Sequence, residues 1–269
     1  MEALPCADVH LTSLAAGTVP ELAPADAVDA AAAAGFPAAG IWVDLTTWTP
    51  AVTAAVVDRV DATGLVALDA EPIFLVADRP VDDAKRIVDI AAAVGARFVL
   101  VVSRDPDLGR TADQYGELCA HGADIGVRPV FEFMRFMTVR TLPDALDIVR
   151  RAGHPDGAVL IDALHLDRGG HGPADVAALD PALLPYAQLC DAPAEHPPAD
   201  ALVTEALDAR LLPGDGALPL GALLDALPAA IPLSVELRSK ALRDGYPDPA
   251  ERAKVVFDAT QRFLAGPRQ

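Results

Sequence analysis

The sequence predicts one α/β domain in which eight strands alternate with about eight helices, the pattern of a (β/α)8 barrel. The 269 residues fit the length of such barrels, which is typically about 250 residues. Eight short apolar runs recur along the chain, and most are continuously apolar, as strands buried on both faces are. No linker or low-complexity segment divides the chain, so we expect a single domain over residues 1–269.

The predicted strands are the apolar runs at residues 8–14, 39–44, 64–70, 97–103, 128–134, 158–162, 186–191 and 232–237. The predicted helices cover residues 24–35, 49–64, 80–96, 111–126, 141–153, 173–179, 219–227 and 247–266. Several helices carry start and stop signals that are independent of the apolar pattern. Thr49 and Thr111, for example, are predicted N-caps, and Gly64 and Gly153 are predicted stops.

An open, doubly wound parallel sheet is the alternative fold. Such a sheet usually carries a GxGxxG turn after its first strand, and this chain has none. The barrel is therefore favoured. Its longest irregular stretch is residues 192–216, and long loops of this kind commonly form functional rims.

Charge and composition limit the classes of partner. The chain has 39 acidic and 21 basic residues, a net charge of −18, which disfavours nucleic acid and anionic membranes as partners. The three cysteines, Cys6, Cys119 and Cys190, are far apart and form no CxxC motif, as in reducing compartments. No signal-peptide pattern and no long apolar span is present. We therefore expect a cytoplasmic protein.

Oxygen donors stand at the ends of four consecutive predicted strands, where barrel active sites lie. They are Glu132, Asp162, Gln188 and Glu236, each within or directly after an apolar run. Buried carboxylates without partners are costly, and one divalent cation would neutralise them together. The donor set suits Mn²⁺ or Mg²⁺, with Co²⁺ as a further candidate. Taken singly, each acid could equally be a helix cap or surface residue, and Gln188 a core amide.

His165 follows Asp162 by three residues, just beyond predicted strand six. A neutral imidazole there suits proton abstraction near pH 7 or contact with substrate, while a structural role is the alternative. Arg168 and the pair Gly169–Gly170 are predicted to form a mobile rim over the site.

Three further residues are predicted substrate contacts. Arg238 follows the last candidate ligand and could bind a carboxylate or phosphate, or be a solvated loop charge. Glu71 ends predicted strand three, where it could contact substrate or be a surface residue. His10 on strand one could line the pocket, whereas Trp42 and Phe133 or Phe136 are expected to lie in the core rather than in a substrate wall.

Several stretches resemble the sugar phosphate isomerase/epimerase superfamily, the xylose isomerase-like TIM barrels. They are "VFEFM", "LIDALHLDRGG", "DPALLPYAQLCDAP", "LLPGDGALPL" and "PLSVELRS", and the resemblance spans roughly residues 8–265. It implies a TIM barrel with one divalent metal on Glu132, Asp162, Gln188 and Glu236. It also implies that Glu132 and Glu236 act as an acid/base pair and that His165 contacts substrate or helps to transfer a proton.

The resemblance implies a metal-dependent isomerase or epimerase acting on a small sugar, inosose or related keto acid. Such an enzyme removes the α-proton and forms a metal-stabilised enediolate. A dehydratase of the 3-dehydroshikimate or inosose type, which uses the same enolate, is the alternative. Gln188 stands where the epimerases usually have His, and no Arg follows it closely, which resembles the dehydratases and inosose enzymes. A non-catalytic ligand-binding barrel is the third reading, and family habit suggests a homo-oligomer.

Overall fold

The computed structural model describes residues 10–266 and shows a closed barrel of eight parallel strands. Each strand pairs with the next in chain order, and β8 pairs with β1. The predicted (β/α)8 TIM barrel is therefore confirmed, and the open doubly wound sheet is wrong. Cys6 and the beginning of the first predicted strand lie outside the described residues.

The strands are β1 (Thr12–Leu14), β2 (Ala38–Trp42), β3 (Val66–Leu75), β4 (Phe98–Ser103), β5 (Arg128–Glu132), β6 (Val159–Asp162), β7 (Ala187–Leu189) and β8 (Leu233–Val235). The helices are α1 (Pro24–Ala34), α2 (Pro50–Thr63), α3 (Val81–Ala93), α4 (Leu108–Ile125), α5 (Leu142–Ala152), α6 (Ala163–Arg168), α7 (Pro173–Ala177), α8 (Leu202–Asp208), α9 (Leu220–Ala226), α10 (Lys240–Gly245) and α11 (Pro249–Ala265). Short 3-10 helices cover Ala16–Thr18 and Pro181–Leu183.

Three short helices of six or seven residues, α6, α8 and α10, were not predicted. Helix α4 also begins earlier than expected. Its N-cap is Asp107, whose carboxylate accepts the backbone N–H groups of Gly109 and Arg110, and not Thr111.

Strand β3 is longer than predicted. Pro72 lacks a backbone N–H and so predicts the end of a strand, yet β3 continues to Leu75. Its register against β4 shifts between Ala70 and Ile73, and this irregularity accommodates the proline. Glu71 therefore lies inside a strand and is buried, which excludes the surface position.

The core has two layers. The larger one lies between the strands and the surrounding helices, as in Ile41, Val101 and Ile161. The smaller one fills the barrel interior with Leu68, Leu100, Val130, Leu160 and Tyr186. Because side chains fill the interior, the barrel has no central channel, and a ligand site must lie at one of its ends.

Cys119 and Cys190 are both buried, and neither forms a disulfide. Between residues 10 and 266, no helix is long and apolar enough to cross a membrane.

Candidate metal and substrate site

Strands β5 to β8 carry the four predicted oxygen donors, one on or directly after each strand. Glu132 and Asp162 are the last residues of β5 and β6, and Glu236 directly follows β8. Asp162 pairs in register with Gln188 on β7. Glu132, Asp162 and Gln188 are almost fully buried.

Glu132 has the environment expected of a metal ligand. Neither of its carboxylate oxygens has a hydrogen-bond partner, and the Gln188 amide also has none. Burial, followed by the charges of Asp162 and Glu236, raises the pKa of Glu132 well above its ordinary value. One ligand atom each from Glu132, Asp162 and His165 lie within 4.8 Å of one another. Since an unpaired buried carboxylate is costly, the residues present fit a divalent ion.

Arg210 completes the site and was missed by the sequence analysis. Its guanidinium donates to Asp162 Oδ2 at 2.6 Å, and its Nη2 forms an ion pair with Glu236 Oε2 at 2.9 Å. Burial raises the pKa of Asp162, but the charge and hydrogen bond of Arg210 together with His165 outweigh that effect, so the pKa falls below its ordinary value. Three carboxylates and one guanidinium give the site a formal charge of −2, which one divalent ion would balance.

His165 is held by the same aspartate. Asp162 is the N-cap of α6, and its Oδ1 accepts the backbone N–H of His165 at 2.9 Å. The imidazole lies edge-to-face on Phe136, with ring centroids 5.7 Å apart, and its Nε2 is 3.4 Å from Arg210 Nη2. Burial lowers the pKa of His165 to about 4, so the ring is neutral at pH 7.

A cavity of about 560 Å³ opens above these residues. Glu71 lines it, and Gly17 donates its backbone N–H to Glu71 Oε1 at 3.3 Å. Burial, followed by Asp69, raises the pKa of Glu71 well above its ordinary value, and Arg238 offsets part of the rise. Arg238 also lines the cavity, with its guanidinium carbon 5.9 Å from the centre of the Trp42 ring.

Asp69 lies close to this cluster and was not singled out from the sequence. It is fully buried where the register between β2 and β3 shifts. Burial raises its pKa to about 7, the nearby Tyr186 lowers it in part, and the charge of Glu236 raises it.

The segment 192–216 folds over the cavity and supplies part of its wall. Val203, Leu207 and Arg210 face the cavity from α8 and the residues after it. Asp191 connects the start of this segment to its far end: its buried carboxylate accepts backbone N–H groups from both at 2.8–3.0 Å. The donors are Ala192, Gly214, Gly216 and Leu218.

Three expectations about the site are wrong. His10 precedes β1, at the opposite end of the barrel, and its Nδ1 is 2.9 Å from the carbonyl oxygen of Ile231. Arg168 is not part of a mobile rim: it is buried, pairs with Glu205 at 2.7 Å and donates to the Pro193 carbonyl at 2.8 Å. It therefore anchors the start of the 192–216 segment. Trp42 is exposed and lines the cavity, contrary to its expected core position, whereas Phe133 lies in the core and Phe136 packs against the core while also lining the cavity.

Fold and site together define a barrel with an oxygen-rich acidic centre at the C-terminal ends of its last four strands. The chain belongs to the xylose isomerase-like TIM barrel family, whose sequence model matches residues 28–258.

Solved structures show the same fold. A xylose isomerase-like TIM barrel/4-hydroxyphenylpyruvate dioxygenase fusion protein is 21% identical over 93% of this chain, with a TM-score of 0.78. The chain spans 42% of that fusion protein's length. The IOLI protein with a bound zinc atom is 17% identical, with 94% of this chain and 98% of that chain covered and a TM-score of 0.79.

A D-allulose 3-epimerase from Methylomonas sp., solved in complex with D-allulose, is 15% identical. The match covers 95% of this chain and 97% of the epimerase, with a TM-score of 0.71. No curated protein gives a significant match in sequence.

Proposed function

We propose that the protein is a metal-dependent isomerase or epimerase that removes the proton next to the carbonyl of a small polyhydroxy carbonyl compound. The observation that carries this proposal is the unpartnered Glu132 carboxylate, buried beside Asp162 and His165 at the floor of an open cavity. Membership of a family with sugar-binding and metal-binding relatives of the same fold supports it.

The ion would be held by Glu132, Asp162, Gln188 and Glu236. A divalent ion supplies Lewis-acid polarisation of a carbonyl oxygen. Mn²⁺ or Mg²⁺ suits the oxygen-rich donors best, with Co²⁺ next; the zinc atom of the IOLI protein makes Zn²⁺ a necessary comparison.

Glu132 and Glu236 are the proposed acid/base pair. Arg210 pairs with Asp162 and Glu236 but leaves Glu132 without a hydrogen bond, so the two glutamates differ in environment. Burial and then neighbouring acids raise the pKa of Glu132. Two carboxyls of unequal basicity facing one cavity can take a proton on one side and return it on the other.

Dehydration is the second candidate function, and the placement of His165 favours it. A buried imidazole that is neutral at pH 7 can accept the α-proton, with its ligand atom within 4.8 Å of those of Glu132 and Asp162. Gln188 at the third ligand position also resembles the dehydratases. Both candidates share proton removal and differ in whether a β-hydroxyl group leaves.

The test is exchange of the α-proton in D₂O, followed by NMR. Metal-stripped protein is reloaded with Mn²⁺, Mg²⁺, Co²⁺ or Zn²⁺ and incubated with ketoses, inososes and 3-dehydroshikimate. We expect deuterium incorporation and either an epimer or a dehydrated product, and neither with Glu132→Gln. Glu195→Gln, an exposed carboxylate outside the cavity lining, is the matched control. Tight metal binding without exchange on any substrate would favour the non-catalytic barrel.

A further inference from the structure

A second cavity lies beside the cavity of about 560 Å³ above the acidic centre (the mouth cavity). It has a volume of about 250 Å³ and is bordered by the segments that follow β2 and β3 and by the first half of α3. Trp42, Pro72 and Phe74 line both cavities and so form a shared wall. The second cavity can therefore hold a ligand of its own next to the proposed active site.

The floor of the second cavity is apolar. Val43, Ile73, Leu75, Ala84 and Ile87 contribute to it, and all five are buried. An apolar cavity of about 150 Å³ is large enough to bind benzene. A volume of about 250 Å³ therefore accommodates one six-membered ring together with a small polar group.

One buried polar atom at this cavity lacks a partner. Gln114, on α4, lines the cavity, and its Oε1 is buried without a hydrogen-bond donor. An unsatisfied buried acceptor is unfavourable, and a ligand that donates a hydrogen bond to it would remove that cost. Gln114 therefore favours a ligand that carries an N–H or O–H group.

The charged side chains of the second cavity favour a cation. Asp44, Asp83 and Arg79 line it, which gives its wall a formal charge of −1 in a chain of net charge −18. Thr46 donates its backbone N–H and its hydroxyl group to Asp44 Oδ1, at 2.9 and 2.7 Å, and these hydrogen bonds lower the pKa of Asp44. Asp83 forms only a loose ion pair with Arg86, at 3.7 Å. Both carboxylates can therefore accept hydrogen bonds from a cationic ligand.

We propose that the second cavity binds a protonated primary amine whose apolar body is the size of one six-membered ring. The body lies on the apolar floor, and the ammonium group is held by Gln114 Oε1 and by the negative wall of the cavity. A neutral alcohol of the same shape gains less from the carboxylates, and a carboxylic acid is repelled by them. Because this site lies outside the proposed active site, the inference depends neither on the metal nor on the reaction.

The test compares three ligands of one shape, benzylamine, benzyl alcohol and benzoate, in the presence of Mn²⁺. Isothermal titration calorimetry measures each Kd. The fluorescence of Trp42 gives a second readout in a Trp48→Phe protein, in which it is the only tryptophan. We expect benzylamine to bind at least about tenfold more tightly than benzyl alcohol, because charge-assisted hydrogen bonds are about twice as strong as neutral ones. Benzoate should bind more weakly than either.

Two substitutions and their matched controls assign the binding to the second cavity. Gln114→Leu and Asp83→Asn should each weaken benzylamine binding at least about fivefold, since each removes an acceptor. Asp113→Asn alters the exposed neighbour of Gln114, and Asp82→Asn removes the same charge from the same turn of α3 as Asp83→Asn. Neither Asp113 nor Asp82 lines the cavity, so both controls should bind benzylamine as the wild type does. Thermal unfolding of every variant shows that it is folded.

Equal affinity for the amine and the alcohol, tighter binding of benzoate, or no saturable binding of benzylamine would overturn the inference. An unchanged Kd in both Gln114→Leu and Asp83→Asn would overturn it as well. If Glu132→Gln alone abolishes binding, the amine lies in the mouth cavity and the inference is wrong. Equal weakening in Asp82→Asn and Asp83→Asn would show that only the overall charge attracts the amine, which also contradicts a built site.

Discussion

Replacing Glu132 by Gln tests the metal site with two effects of opposite direction. The substitution keeps the side-chain shape and removes one charge from a position where both oxygens are buried and unpartnered. In metal-free protein the loss of that charge relieves a desolvation cost, so we expect the variant to be no less stable than the wild type.

In the presence of metal we expect the wild type to be more stable than the Glu132→Gln variant. An ion at about 100 times its Kd stabilises the native state by about 2.7 kcal/mol. For a domain of this size each kcal/mol raises the Tm by about 2–4 °C, which gives a shift of about 5–11 °C. If losing a charged ligand weakens binding about 100-fold, the same concentration equals the Kd and contributes only about 0.4 kcal/mol, or about 1 °C.

Differential scanning fluorimetry of EDTA-stripped protein, with and without added Mn²⁺, measures both effects. Glu195→Gln should retain the full metal-induced shift, because Glu195 is exposed and does not line the cavity. A Glu132→Gln protein that loses stability without metal and keeps the whole shift with metal would refute the assignment of Glu132 as a ligand.

Three further predictions concern neighbouring residues. Arg210→Met leaves the buried Asp162 and the partly buried Glu236 without their cation, and we expect a loss of about 3–5 kcal/mol in urea unfolding of the metal-free protein. An unchanged midpoint would contradict this ion pairing. A Cβ on Gly17 would lie 2.7 Å from Glu236 Oε1, so Gly17→Ala should weaken Mn²⁺ binding in calorimetry, whereas Gly245→Ala, with open space around it, should not. Asp69 has its pKa raised from 3.8 to about 7, so its ionisation destabilises the wild type as pH rises through that window. Asp69→Asn should therefore gain stability over the wild type on going from pH 4 to pH 8. A difference in the free energy of unfolding between the two proteins that does not increase over this range would show that Asp69 is solvated.

The ligand candidates were accessible from sequence because each interrupts an apolar run at a strand end, and that signal is local. Arg210 gave no such signal, because it lies in an irregular segment whose return to the barrel depends on bridges from Asp191 to Leu211 and from Ala209 to Ser239. His10 was misplaced because a strand's apolar pattern does not show which residues face the mouth. The interior position of Glu71 depends on a register shift between two strands, which a single-strand pattern cannot show.

Other expectations stay predictions. They are the single domain over the full chain, the cytoplasmic location, the absence of nucleic-acid and membrane partners, a homo-oligomer and the identity of the ion. The roles of the individual site residues also stay predictions, and the experiments above address them.

The fastening of the 192–216 segment at Asp191 bears on how this barrel could acquire new specificity. Both ends of the segment are fixed: Arg168 holds the start, and the Asp191 carboxylate accepts three backbone hydrogen bonds at the far end. Val203 and Leu207 lie between these anchors and contribute no ligand atom to the acidic centre. Substitutions there can reshape the cavity wall while the reactive end stays intact, so a library restricted to this helix is the natural starting point for directed evolution toward other substrates.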